Sequence, residues 1–242
     1  VGISLRMSAG PHMDDLMVQS DMALYESKAA GRGCWSLYSE KIGEQSRRRL
    51  AIEDGLRHAV ERGEICVHWQ PKVSLASWRI TGAEALMRWT HPELGRVGPD
   101  EFIPIAEQCG LIENLGYYVL EEACRAATTE LRGLLISVNV SAVQVQFGHF
   151  LQDLTALLEH YQLEPQRLEL ELTESVIIDD PDQALDMLTA IRQTGVRLAL
   201  DDFGPGYSSL KNLRSFPVGE VKIDRSFVRH VPEDRDNCSI VH

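Results

Sequence analysis

The stretch that decides the fold is VRLALDDFGPGYSSL, residues 196–210. It begins as a short apolar strand, reaches two adjacent acids, Asp201 and Asp202, and continues into a loop with two glycines. Two like charges at the end of a buried strand are costly unless they are paired or hold a metal ion. Taken alone, an Asp-Asp pair before glycine also suits a turn or a helix cap. The sequence pattern of the neighbouring strands is therefore needed to decide between a functional site and a turn.

Short apolar strands alternate with longer helical segments from residue 64 onward, as expected of a parallel α/β architecture. Six strands are predicted, the last being GEVKIDRSFV, and one long helical region is predicted from Phe102 to Glu130. A short helix is predicted over residues 207–216. We place a first domain at residues 1–41, a charged linker helix at 42–63 and a second domain at 64–242.

Several of these strands have one apolar face and one polar face. In LLISVNVS, Ser137 and Asn139 lie opposite the aliphatic positions, and in RLELELTES the glutamates Glu169 and Glu171 do the same. A sheet covered by helices on both sides needs two apolar faces. A polar face therefore favours a barrel, whose interior becomes polar near the carboxyl ends of the strands.

The polar positions of separate strands predict one cluster at that end of the barrel. Oxygen ligands of this kind suit Mg²⁺, Mn²⁺ or Ca²⁺ rather than zinc, and two such ions can clamp a phosphodiester and activate water. Lys222 on the last strand is placed to orient that water or to offset phosphoryl charge. The predicted metal ligands are Glu84, Asn139, Glu171, Asp201 and Asp202.

Composition excludes some partners. The 242 residues carry a net charge of −12, so a duplex nucleic-acid partner is not expected. Five cysteines at wide spacings without a CxxC pair predict no disulfide framework and no zinc cluster, and they favour a reducing, cytoplasmic compartment. No apolar run approaches the ~18 residues of a membrane span. A first residue Val and a last segment CSIVH predict that the chain is a fragment.

Seven segments resemble, in order and spacing, the EAL-domain family of bacterial cyclic-di-GMP phosphodiesterases. They are WQPKV, EALMRW with Glu84 at its head, PDEFIPIAEQCG, SVNVS, ELTES, DDFGPGYSSL and EVKIDRSFV. The resemblance covers roughly residues 50–242. It implies a modified (βα)8, TIM-like barrel with an antiparallel first strand, and metal-dependent hydrolysis of cyclic di-GMP to pGpG in second-messenger signalling.

Site roles follow from the resemblance residue by residue. Glu84, Asn139, Glu171 and Asp201 are expected to hold one Mg²⁺ or Mn²⁺, and Asp201 with Asp202 a second. Lys222 is expected to assist the attacking water. The remaining expected roles are substrate contact for Gln70 and Arg88, orientation of the water or substrate for Asp224, and support of the loop after Asp202 for Glu174. That loop has Pro205 where the family usually has Thr or Ala.

The first segment, DMALYESKAAGRG, resembles the ALYxAKxxGR segment near the end of GGDEF diguanylate cyclase domains, with Ser27 in place of Ala. The resemblance implies that residues 1–41 are an α+β remnant of such a domain, in which Lys28 and Arg32 would approach GTP phosphates. The GGDEF signature does not occur in the chain, so cyclase activity is not expected.

Three functions remain open from the sequence. The first is a phosphodiesterase, and the second is a non-catalytic module that binds cyclic di-GMP. The third is a dimerisation module that forms a homodimer. The count of six strands against eight predicts a barrel that lacks its last two strands. We therefore expect residues 1–242 alone to be poorly stable and to have little activity.

Overall fold

The computed structural model describes residues 1–5, 13–29, 31, 33–146, 149–173, 176, 181–203 and 216–228. They fall into two compact units, Val1–His58 and Ala59–His242. The helix predicted over residues 207–216 lies almost wholly outside the described residues, as do Arg32, Glu174 and Pro205.

The first unit pairs two short parallel strands beside two helices. The second of these helices is capped by Ser39, whose hydroxyl accepts the backbone N–H of Ile42. The elements are β1 (Gly2–Ile3), α1 (Met13–Ala29), β2 (Ser36–Leu37) and α2 (Glu40–Leu56).

The second unit is an α/β domain built on one mixed sheet. Its strands are β3 (Ile65–Ser74), β4 (Arg79–His91), β5 (Gly95–Val97), β6 (Leu135–Val140), β7 (Leu168–Thr173), β8 (Arg197–Phe203) and β9 (Glu220–Ile223). Its helices are α3 (Pro99–Gln108), α4 (Ile112–Thr128), α5 (Ala142–Gln146), α6 (Phe150–His160), α7 (Pro181–Gln193) and α8 (Arg225–Val228), with a 3-10 turn at Pro165–Arg167.

Strand order places the carboxyl ends of five strands at one edge. The order is β3-β4-β6-β7-β8-β9; β3 and β4 form an antiparallel hairpin, and β4, β6, β7, β8 and β9 run parallel. The antiparallel first strand and the six strands expected from the sequence are present. The short strand β5, antiparallel to β4, was not predicted.

Two predicted elements need correction. The long helix predicted from Phe102 to Glu130 is two helices, because Gly110 has a φ of 69° and turns the chain between α3 and α4. The last predicted strand ends at Ile223, and the next residues form the turn α8. Asp224 starts that turn, because its side chain accepts the backbone N–H of Ser226 at 2.8 Å.

The core lies between the parallel strands and the helices α4, α6 and α7. The outward side chains of β7, Leu168, Leu170 and Leu172, are almost fully buried in it. The opposite face of β7 carries Glu169 and Glu171, which are also buried. The predicted two faces are therefore present in β7, and its polar face at Glu169 and Glu171 is enclosed rather than exposed to solvent.

Gly82 on β4 has no room for a side chain, because an added Cβ would lie 2.6 Å from the backbone oxygen of Leu135 on β6. We expect Gly82→Ala to lower the free energy of unfolding by about 1–3 kcal/mol, as overpacking does elsewhere. Urea unfolding of the chain measures this. Gly219→Ala is the matched control, since its nearest contact would be an ordinary 3.8 Å. Equal unfolding midpoints for the two variants would contradict the prediction.

Candidate active site

A cluster of charged side chains lies at the carboxyl edge of the parallel strands. Glu84 comes from β4, Glu171 from β7 and Asp201 from β8, and one carboxylate oxygen of each lies within 4.8 Å of the others. Oxygens on opposite sides of a Mg²⁺ ion are roughly 4 Å apart, at ~2.1 Å from the metal. The three carboxylates are therefore spaced for a shared divalent cation.

Asn139 on β6 joins this cluster through its amide. Its Nδ2 donates to Glu84 Oε1 at 2.7 Å, so its Oδ1 is the atom that could serve a cation. Three carboxylates and one amide oxygen are hard ligands, which suit Mg²⁺ or Mn²⁺. The donor set thus fits the predicted cation.

Lys222 on β9 supplies the positive charge of the cluster. Its Nζ donates to Asp201 Oδ2 at 3.0 Å, contacts Glu84 Oε2 at 3.5 Å and makes a short hydrogen bond to Glu171 Oε2. Burial lowers the pKa of Lys222, but the hydrogen bonds to Glu171 and Asp201 outweigh burial and raise the pKa above its usual range. Lys222 is therefore protonated at neutral pH in this arrangement.

Burial shifts the pKa of Glu171, the central acid of the cluster, in the opposite direction. It raises the pKa of Glu171, and the hydrogen bond from Lys222 offsets part of that rise. Burial therefore disfavours the charged form of Glu171, and a nearby cation stabilises that form. This is the physical reason why buried acids occur beside lysine or a metal.

The paired aspartates are accommodated by a bulge. Leu200 pairs with Val221 and Phe203 with Ile223, so Asp201 and Asp202 together lie opposite the single residue Lys222. Asp202 has a φ of 53° and its backbone N–H donates to Asp201 Oδ1 at 2.9 Å. Aspartate is among the few residues that tolerate this left-handed conformation.

Asp202 itself is exposed, unlike Asp201. Partial desolvation raises its pKa, and the charges of Asp201 and Asp224 raise it further. Asp224 therefore acts on Asp202 as a neighbouring negative charge, while its own carboxylate caps α8. A divalent cation beside Asp201 and Asp202 would relieve this repulsion.

Gln70 and Arg88 lie on the β3–β4 hairpin with Glu84. Gln70 on β3 is exposed and lies opposite Glu84 in the hairpin. Arg88 is half-buried, and its guanidinium donates to the backbone oxygen of Met87 at 2.8 Å. Glu174 lies outside the described residues. The structure therefore brings Glu84, Asn139, Glu171, Asp201 and Lys222 into contact.

Sequence reasoning missed Lys72, the second lysine of the interior. Its Nζ lies 3.1 Å from Glu171 Oε1 and 2.7 Å from Glu169 Oε1. The signal was present, since Lys72 follows Gln70 by two residues on β3 and so shares its face.

Comparison with known proteins identifies the family. The EAL domain family matches residues 53–242, so the chain belongs to that family. The bifunctional diguanylate cyclase/cyclic di-GMP phosphodiesterase MucR of Pseudomonas aeruginosa is 38% identical over 245 residues, covering 100% of this chain and 36% of MucR. The cyclic di-GMP phosphodiesterase NbdA of the same organism is 36% identical over 244 residues, covering 99% of this chain and 31% of NbdA.

The fold is shared with solved members of the family. A structure of the PaMucR phosphodiesterase in a c-di-GMP complex is 40% identical to this chain, with a TM-score of 0.73, and 78% of each chain is covered. The chain spans about a third of the length of the curated relatives that it matches. Within the described part of the chain, no helix has both the length and the apolar composition needed to cross a bilayer.

Proposed function

We propose that the protein hydrolyses cyclic di-GMP to pGpG with Mg²⁺ or Mn²⁺. The observation that carries the proposal is the cluster of Glu84, Glu171 and Asp201 with Asn139 and Lys222 at the carboxyl edge of the sheet. The relatives named as cyclic di-GMP phosphodiesterases support the choice of substrate. A non-catalytic receptor would not need a group of cation ligands beside a lysine.

Each residue of the cluster has its own role in the proposed hydrolysis. Glu84, Asn139, Glu171 and Asp201 would hold one cation, and Asp201 with Asp202 a second. Bound divalent cations supply Lewis-acid stabilisation of phosphoryl oxygens and a more acidic water. The ammonium of Lys222 lies beside the carboxylates that would hold the cation, a position that suits donating a hydrogen bond to water or to a phosphoryl oxygen.

The substrate-contacting roles rest on position. Gln70 lies beside Glu84 across the β3–β4 hairpin, and Arg88 lies four residues beyond Glu84 on the same strand face. We assign both to contacts with the nucleotide, Asp224 to orientation of the water or substrate, and Glu174 to support of the loop that follows Asp202.

We further propose that residues 1–41 are the end of a GGDEF domain, followed by a linker helix at 42–63 and the EAL domain at 64–242. MucR, whose name includes a diguanylate cyclase, aligns with the whole chain and supports this order. Lys28 is exposed in the last turn of α1, a position compatible with phosphate contact.

The test is direct. The natural-length protein is incubated with cyclic di-GMP and Mn²⁺ or Mg²⁺, and release of pGpG is measured by chromatography. Turnover that stops on adding EDTA is the expected result. Folded protein that binds Mn²⁺ and cyclic di-GMP without releasing pGpG would overturn the proposal. Cyclic di-GMP binding that survives both EDTA and Asp201→Asn would favour a receptor.

Cation binding should also increase the free energy of unfolding of the protein. We expect Mn²⁺ at about 100 times its Kd to stabilise the protein by about 2.7 kcal/mol, since a ligand that binds only the folded state shifts the unfolding equilibrium. Thermal melts with and without Mn²⁺ measure this. Asp201→Asn removes a ligand charge and should abolish most of the shift, while Asp153→Asn on α6 should keep it. An equal shift in both variants would contradict the assignment.

A further inference from the structure

A second polar layer lies beneath the candidate cation site. Lys72 Nζ on β3 donates to Ser137 Oγ on β6 at 2.8 Å and to Glu169 Oε1 on β7 at 2.7 Å. Ser137 Oγ also donates to Glu169 Oε1 at 2.7 Å. The side chain of Glu169 is 1% exposed, so this carboxylate is held entirely by its neighbours. The three groups form a closed set inside the domain, which we call the lower layer.

The lower layer reaches the cation site through one carboxylate. Glu171 is two residues beyond Glu169 on the same face of β7, and its side chain is fully buried. Its Oε1 accepts from Lys72 at 3.1 Å, whereas its Oε2 faces Glu84, Asp201 and Lys222. Each oxygen of Glu171 therefore has a separate cationic partner.

We propose that Lys72 is a positioning residue that holds Oε1 of Glu171 and thereby presents Oε2 to the divalent cation. The inference rests on the cation site of the proposed function. Lys72 is fixed by hydrogen bonds to side chains of β6 and β7 as well as by its own strand, so it defines where Oε1 lies. A carboxylate fixed at one oxygen has little freedom to rotate its other oxygen away from the cluster.

A positioning role and a simple charge role predict opposite results. A partly buried ammonium near a cation site repels the incoming cation. If Lys72 only contributed charge, its removal would strengthen cation binding. If it holds Glu171 in place, its removal weakens cation binding. The sign of the change in Mn²⁺ affinity therefore distinguishes the two roles.

The first variant is Lys72→Met, which keeps the unbranched apolar stem of the side chain and removes its ammonium. Isothermal calorimetry with Mn²⁺ alone, well below the melting temperature, should give a Kd about 10–100-fold weaker than that of the parent, the usual effect of losing a partner of a metal ligand. Lys41→Met on the exposed face of α2 is the control and should leave the Kd unchanged.

A second variant separates positioning from stability. Lys72→Met leaves two buried carboxylates short of a cation and should lower the melting temperature. The double variant Lys72→Met/Glu169→Gln removes one of those charges but keeps an acceptor for Ser137, so it should regain most of the stability. In the double variant Glu171 still lacks its hydrogen bond from Lys72. The Mn²⁺ affinity of the double variant should therefore stay weak.

An Mn²⁺ Kd equal to or tighter than that of the parent in either variant would overturn the inference. So would recovery of Mn²⁺ affinity together with stability in the double variant, or a parent that binds no Mn²⁺. A parent protein that binds Mn²⁺ but releases no pGpG would contradict the proposed function without contradicting the role of Lys72. The two failures are distinguishable because Mn²⁺ binding is measured without cyclic di-GMP.

Discussion

Glu84→Gln is expected to lower hydrolysis of cyclic di-GMP by about 10³-fold or more. The amide keeps the size of the side chain but removes a ligand charge from the cluster with Glu171 and Asp201. Metal-ion stabilisation of a transition state is worth several kcal/mol, and each 1.36 kcal/mol corresponds to a factor of ten in rate. The measurement is the initial rate of pGpG release by the natural-length protein at saturating Mn²⁺.

Glu159→Gln provides the control for this substitution. Glu159 is exposed near the end of α6, and the exchange removes the same charge outside the cluster. It should leave the rate within about twofold, because exposed substitutions of this kind have small effects. A Glu84→Gln enzyme with near-parent turnover would remove Glu84 from the cation site.

Lys222→Met should separate catalysis from cation binding. We expect hydrolysis to fall by about 10²–10³-fold, the range for removing one hydrogen-bond donor that stabilises charge in a transition state. The Mn²⁺ Kd should stay the same or become tighter, because Lys222 Nζ contacts the same carboxylates of Glu84, Glu171 and Asp201 that would bind the cation. Calorimetry and initial rates on one preparation give both quantities.

The comparison with Lys72→Met makes this prediction specific. Both lysines contact Glu171, one at each oxygen, and both substitutions remove one positive charge. Opposite effects on Mn²⁺ affinity are expected, weaker for Lys72 and unchanged or tighter for Lys222. A tenfold loss of Mn²⁺ affinity in Lys222→Met, or an unchanged rate, would show that the assignment of Lys222 is wrong.

Alternation along the strands was enough to predict the two faces of the sheet. In β6 and β7 the polar residues occupy every second position, and the structure places them on one face opposite the core, where Ser137, Glu169 and Glu171 are buried and Asn139 is exposed. The cluster of Glu84, Asn139, Glu171 and Asp201 follows from that parity, because parallel strands end at the same edge. Local pattern therefore predicts which side chains can meet.

Long-range pairing was not predictable in the same way. The buried hydrogen-bond partners of Lys72 lie 97 and 99 residues later in the chain. A lone lysine on a strand usually indicates a solvent-exposed position, so the sequence around Lys72 did not predict these contacts. The break at Gly110 was missed for another reason. Apolar spacing continues through α3 and α4, so periodicity alone did not reveal that the chain turns between them.

The bulge in β8 has a consequence for how a strand can supply ligands. In an uninterrupted strand, consecutive side chains point to opposite faces, so Asp202 would be directed toward the helices if Asp201 faced the interior. The extra residue acts as a single-residue insertion that frees Asp202 from that alternation, and Phe203 then pairs in register with Ile223. Deleting Asp202 would thus restore a regular ladder and leave this strand with one acid for the cluster instead of two.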